Sequence, residues 1–84
     1  MQPVTIYTRE FCGYCTRALA LLQRKGVKYE QIDATMDQDK RREMRERAGR
    51  ATFPQIFIGD RHVGGCDDLH DLERSGDLDK LLNA

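Results

Sequence analysis

The 84-residue chain is predicted to be an α/β fold, a mixed four-stranded sheet flanked by helices in the order βαβαββαα. Three observations carry that expectation. Val4-Thr5-Ile6-Tyr7 reads as a short buried strand and gives way to Cys15, Ala18, Leu19 and Leu22 at helical spacing. A strand-helix-strand opening calls for parallel pairing through a right-handed crossover. Ile56-Phe57-Ile58 followed by Gly59-Asp60 is an apolar run and then a two-residue turn, which favours a hairpin and so adds antiparallel strands.

The first strand is expected over Pro3 to Thr8, and Thr8-Arg9-Glu10-Phe11 forms the loop after it. A helix from Gly13 or Tyr14 to Lys25 follows, with Arg24 and Lys25 in the last turn, where cations suit the dipole, and Gly26 as its stop. Val27 to Asp33 alternates at Val27 and Tyr29 and then slips at Ile32, so a second strand is expected with its register open. Thr35-Met36-Asp37-Gln38 fits a capping box and opens a helix that Gly49 ends. That helix holds only Met36, Met44 and Ala48 as apolar residues, so it packs through a thin stripe. Ile56 to Ile58 suits a strand covered on both faces, paired with Arg61 to Val63 or Gly64. Asp67-Asp68 suits a helix start, with Leu69 and Leu72 inward and Gly76 closing it. Asp77 then caps a last short helix burying Leu78, Leu81 and Leu82.

Length and charge bound the function. Residues 1–84 have room for one small domain. Fourteen lysines and arginines balance fourteen acids, which leaves no overall field for nucleic acid or an anionic membrane. No segment approaches the roughly 20 apolar residues needed to span a bilayer. Met1-Gln2-Pro3 runs directly into a strand without the basic and apolar regions of a signal peptide, so a cytoplasmic monomer is expected. Charge is nonetheless uneven. Asp37 to Arg50 holds six basic residues against four acids, and Asp67 to Ala84 holds six acids against Arg74 and Lys80. Solvated helix faces account for most of this, and two regions flanking an anionic or zwitterionic ligand would account for the rest.

Chemistry concentrates in Cys12-Gly13-Tyr14-Cys15. Two cysteines with two residues between them can close a small disulfide ring and reopen it, taking and giving two electrons without a cofactor. Cys12 falls just ahead of the first helix, where unpaired N–H groups and the positive end of the dipole favour a thiolate. It is the expected nucleophile. Cys15 lies one turn inside, on the core side, and is the expected resolving thiol. Paired cysteines also bind zinc, but a closed structural site normally takes four Cys or His ligands, and only Cys66, His62 and His70 remain as donors. In the cytosol such a pair is usually catalytic. On a strand-helix-strand unit it reads as thioredoxin-like.

Taken together, Tyr7-Thr8-Arg9, Cys12-Gly13-Tyr14-Cys15, Gly49 to Gly59 and Gly64-Gly65-Cys66-Asp67-Asp68-Leu69 resemble the glutaredoxin family, specifically its small single-domain dithiol members from bacteria. The resemblance covers essentially the whole chain. It implies glutathione-dependent reduction of protein disulfides and of protein-glutathione mixed disulfides, with glutathione as co-substrate. Ribonucleotide reductase would be a candidate client.

Residue by residue, the resemblance implies a glutathione site. Thr52-Phe53-Pro54 looks like the segment in which the proline follows a cis bond and the neighbouring backbone pairs with the cysteine of glutathione. Gly64-Gly65-Cys66-Asp67-Asp68 looks like the corner where a helix start and an aspartate, better Asp68 than Asp67, take the γ-glutamyl group. Arg9 matches the cation for the glycine carboxylate, with Arg50 a weaker candidate; Tyr14 would flank the bound sulfur, and Arg17 would favour the thiolate. Two departures stand out. Gly13 replaces the usual proline and Phe53 the usual valine. A small residue at the first position is associated in the family with a [2Fe-2S] cluster held between two subunits by Cys12-type thiolates and two glutathiones, which is the alternative function. Cys66, in the ligand corner, could serve as a regulatory thiol or an alternative partner for glutathione, but free cysteines often behave as small hydrophobes, and that inert reading is the expected one. His62 and His70 lack ligand spacing and are read as surface residues. A thioredoxin served by a protein reductase would need the Trp-Cys-Gly-Pro-Cys that this chain lacks, and a bare adaptor would have dispensable cysteines.

Overall fold

Alternation along β1 (Val4–Thr8) sets the layers, because successive side chains leave a strand on opposite faces. Val4 and Ile6 point into one apolar cluster and Tyr7 into a second. The computed structural model describes residues 1–84. Its sheet has the order β2-β1-β3-β4, with β2 at Tyr29–Asp33, β3 at Gln55–Ile58 and β4 at Arg61–Gly64. β1 is central, parallel to β2 and antiparallel to β3, and β3 and β4 form the expected hairpin.

The larger cluster lies between one sheet face and three helices: α1 (Gly13–Arg24), α3 (Cys66–Ser75) and α4 (Asp77–Leu82). Ala18, Leu21 and Leu22 of α1 meet Leu69 of α3 and Leu78 and Leu82 of α4 over Ile6, Ile56 and Ile58. Full burial of each large aliphatic side chain is worth about 1.5–3 kcal/mol, so this layer fixes α1 firmly. The opposite face carries α2 (Gln38–Ala48) alone, which buries only Met44, against Tyr7 and Phe57. A polar knot assists it: the Tyr7 hydroxyl donates to Glu43 at 2.5 Å and accepts from Arg47 at 2.9 Å. Phe57, between Ile56 and Ile58, supplies the far face of the continuous apolar run, as expected of a strand covered on both sides.

Local differences from the sequence expectation have physical causes. β1 begins at Val4 rather than Pro3, and β2 at Tyr29, with Val27 already buried ahead of it. α2 is capped by Asp37, whose carboxylate accepts from the Lys40 N–H at 3.0 Å, rather than by Thr35. The Thr35 hydroxyl is committed elsewhere, accepting from the Glu10 N–H at 2.8 Å and donating to Asp33. Gly76, left-handed at φ +83°, both closes α3 and precedes α4, while Asp77 is the first helical residue and not the cap. Leu19, Leu72 and Leu81 are only partly buried, and Leu21 takes the core position on α1. No helix is long and apolar enough to cross a membrane.

Candidate active site

The dithiol sits where β1 hands over to α1. Cys12 is the N-cap, in extended conformation, and its sulfur accepts the Cys15 N–H at 3.3 Å. Its carbonyl accepts the Thr16 N–H at 3.1 Å. One of the N–H groups left free by the first turn of the helix thus points at the sulfur. Both thiols are free; Cys12 is 7% exposed and Cys15 3%. Burial, and then the hydrogen bond with Cys12, push the Cys15 thiol up to about 12. Cys15 is therefore the protonated, inner partner. Just before Cys12, Phe11 is 97% exposed and holds a left-handed backbone at φ +54°.

On the β3 side, the Cys12 thiol faces the Phe53 carbonyl at 3.9 Å. The Phe53–Pro54 bond is cis, Thr52 is exposed, Phe53 is half-buried and Pro54 is buried. The guanidinium of Arg41 lies 5.2 Å from the centre of the Phe53 ring. Gly65 adjoins this segment: a Cβ there would stand 3.5 Å from the Pro54 carbonyl. The Gly65 N–H donates to Asp68 at 2.9 Å, and Arg50 pairs with the same carboxylate oxygen at 3.2 Å. The Gly65 N–H first, and Arg50 with it, hold the Asp68 carboxyl below its ordinary value. Asp67, one residue earlier, is exposed.

The Cys66 side chain is where the small-hydrophobe reading puts it: it is 3% exposed within the larger cluster, its thiol meets His70 Nδ1 at 3.5 Å, and burial pushes that thiol up. Its backbone opens α3, next to Gly65. His62 is corrected, since it is half-buried and bonded to Gln55 rather than lying on the surface.

Arg9 folds back over the loop before Cys12, donating to the carbonyls of Glu10 at 3.1 Å and Phe11 at 3.3 Å. Tyr14, 55% exposed, stands on the first turn of α1 with Arg17 stacked at 5.5 Å from its ring centre. The largest groove, about 400 Å³, lies on the other side of the dithiol, towards β2, and includes Arg9, Cys12, Cys15, Gln31 and Asp33. Thr52, Phe53, Pro54, Gly65 and Asp68 are not part of it. On the β3 side, the Phe53 backbone carbonyl stands next to the Cys12 sulfur. Within the chain, no group of three His, Cys, Asp or Glu side chains is placed to hold a metal ion.

Residues 4–63 match the family model for glutaredoxin. The chain belongs to the glutaredoxin family. Glutaredoxins are, in general, glutathione-dependent thiol oxidoreductases. The chain is 56% identical to a glutaredoxin of Pseudomonas aeruginosa over 84 residues, covering 100% of both. It is 52% identical to glutaredoxin 3 of Escherichia coli over 82 residues, covering 98% of this chain and 99% of that one. Among solved structures, glutaredoxin from Brucella melitensis aligns at 61% identity with a TM-score of 0.86, over 98% of this chain and 89% of that one. A buckwheat glutaredoxin-glutathione complex aligns at 30% identity and 0.88, over 98% and 77%. The thioredoxin-like fold expected from the sequence is the one these structures share.

One residue beside the site was not singled out from the sequence. Gln55, wholly buried, donates through Nε2 to the Thr52 carbonyl at 3.0 Å and hydroxyl at 3.1 Å, and its Oε1 meets His62 Nε2 at 2.7 Å. The signal available was an amide set between Pro54 and an apolar strand.

Proposed function

We propose that this glutaredoxin reduces protein-glutathione mixed disulfides and protein disulfides in the cytosol, acting as a monomer with glutathione as co-substrate. The observation that carries the reading is the asymmetry of the dithiol: the Cys12 sulfur receives a helix N–H beside the Phe53 carbonyl, while Cys15, the deeper of the two, is held protonated.

The Cys12 thiolate attacks the glutathione sulfur of a mixed disulfide. The old S–S bond breaks, the protein thiolate leaves and takes up a proton, and Cys12 keeps the glutathionyl group. A second glutathione thiolate attacks that sulfur, releasing glutathione disulfide and restoring the Cys12 thiolate. With a protein disulfide, the Cys12 thiolate attacks one sulfur and releases the other, which takes up a proton; Cys15, losing its proton, then attacks the Cys12 sulfur, expels the protein sulfur still bound to it as a thiolate that takes up a proton, and closes the Cys12–Cys15 disulfide. Two glutathiones reopen it. Client proteins are those with reducible disulfides, ribonucleotide reductase being the candidate.

Glutathione's cysteine would pair with the backbone of Phe53, as an extended peptide adds to a strand edge. Thr52 and Pro54 hold that edge, with Gly65 and the Cys66 backbone beside it. Asp68, assisted by Asp67, would take the γ-glutamyl ammonium in place of Arg50. Arg9 would turn to the glycine carboxylate, and Tyr14 would cover the sulfur.

The test is glutathione-dependent reduction of a glutathionylated protein by wild type, Cys12→Ser and Cys15→Ser, with visible spectra taken alongside. Cys12→Ser is expected to be inactive and Cys15→Ser to retain turnover on the mixed disulfide. An inactive wild type carrying a visible chromophore that needs Cys12 and glutathione would replace this reading with the [2Fe-2S] dimer, one Cys12 from each chain.

A further inference from the structure

We infer that Gln55, braced by His62, is a positioning residue that sets the orientation of the glutathione-binding edge from beneath the sheet; this rests on the proposed site at Phe53. Gln55 is wholly buried on the Tyr7 and Phe57 face, opposite Tyr7 on β1, where an apolar side chain would satisfy packing. A buried amide is costly unless its polar atoms are paired, and these are: Nε2 with Thr52 and Oε1 with His62. The pairing does more than satisfy the amide. The Thr52–Phe53 peptide is trans and planar, and its carbonyl and N–H point in opposite directions. Gln55 draws the Thr52 carbonyl inward. The Phe53 N–H is thereby aimed away from the sheet interior, as a donor to an extended peptide must be.

His62 fixes the amide in turn. Because the Gln55 NH2 group serves the Thr52 carbonyl, its oxygen must face His62, and His62 must donate from Nε2. The β3–β4 register slips at Ile56/Phe57, and His62 is set against Phe57 with ring centres 5.1 Å apart. Protonation of Nδ1 leaves the Nε2–H in place, so the brace holds with the imidazole neutral or charged. The chain of contacts runs from β4 through β3 to an exposed loop.

The experiment compares wild type, Gln55→Met, His62→Leu and His62→Gln in steady-state turnover of a glutathionylated peptide. Affinity for reduced glutathione is measured separately by NMR titration of each in a Cys12→Ser background. Gln55→Met keeps volume and removes the hydrogen bonds; KM and the glutathione Kd are expected to rise together about fivefold to tenfold with kcat within about twofold, the effect of losing one or two neutral hydrogen bonds. His62→Leu should give about a twofold to threefold rise. His62→Gln, which places an amide N–H near the lost Nε2–H, should recover most of it. A Gln55→Met protein that melts earlier with unchanged KM and Kd overturns the inference, as does a His62→Gln protein no better than His62→Leu. If wild type binds glutathione without turning over the peptide, the proposed reaction fails while the Kd ratios still decide the positioning role. If it does neither, both fall.

Discussion

Cys15 should be nearly inert to alkylation in the folded protein, and the size of the effect follows from its surroundings. A thiol at about 12 is ionised at pH 7 only to about one part in 10⁵, against roughly 3% for an ordinary thiol. That is a deficit of about 3,000-fold. A more basic thiolate is also more nucleophilic, with a Brønsted slope of about 0.4–0.5, which returns a factor of about 30 to 60 over some 3.5 units. The net expectation is alkylation about 50- to 100-fold slower than an ordinary thiol, before its 3% exposure slows it further. Reduced protein is treated with iodoacetamide at pH 7, and site-resolved initial rates are read by mass spectrometry, with the same chain in urea as the ordinary-thiol reference. A single adduct on Cys12 should accumulate first. Labelling of folded Cys15 within about fivefold of its rate in urea would refute the assignment of burial as the cause.

Two further outcomes test the ligand corner. Gly64 holds φ +119°, and a Cβ there would stand 2.5 Å from the Arg50 guanidinium and overlap the Asp68 carboxylate. Gly64→Ala should therefore cost about 1–3 kcal/mol and lower Tm by several degrees in a calorimetric melt; an unchanged Tm refutes the strain argument. The Asp68 carboxyl is held below its ordinary 3.8, so its contribution to stability is complete above that value and is lost as pH falls through the folded-state pKa. The stability difference between wild type and Asp68→Asn, from urea unfolding, should shrink between about pH 5 and about pH 2, and a difference flat across that range contradicts it.

Elements governed by local pattern were legible in the sequence. Periodicity placed α1 and the β3–β4 hairpin, and Gly26, Gly49 and Gly76 marked helix ends through their left-handed backbones. Where a long-range contact claims a capping side chain, local pattern misleads. The sequence pointed to Thr35 as the cap of α2, but its hydroxyl is taken by the Glu10 N–H, 25 residues away, and Asp37 caps the helix instead. Long-range polar pairs were hidden for the same reason. Arg50 with Asp68 and Gln55 with His62 join segments that only the folded sheet brings together. The dithiol's place at the start of α1 was legible because spacing and helix start are local. Cys66 kept a second reading beside the expected one because a cysteine one position inside a helix can serve as core or ligand, and only Leu69 and the layer beneath decide.

The unequal attachment of the helices has a consequence for how such a chain can diverge. α1, α3 and α4 share one packed layer, so changes on their inner faces are felt at the Cys12 sulfur. α2 buries one of its eleven residues. Substitutions on exposed helix positions typically shift stability by less than about 0.5 kcal/mol. Its outer surface, carrying Lys40, Arg42 and Arg45, can therefore be rewritten almost freely while the helix remains docked through Met44, Glu43 and Arg47. The sequence of that face can drift across generations without disturbing the packed layer that holds the dithiol.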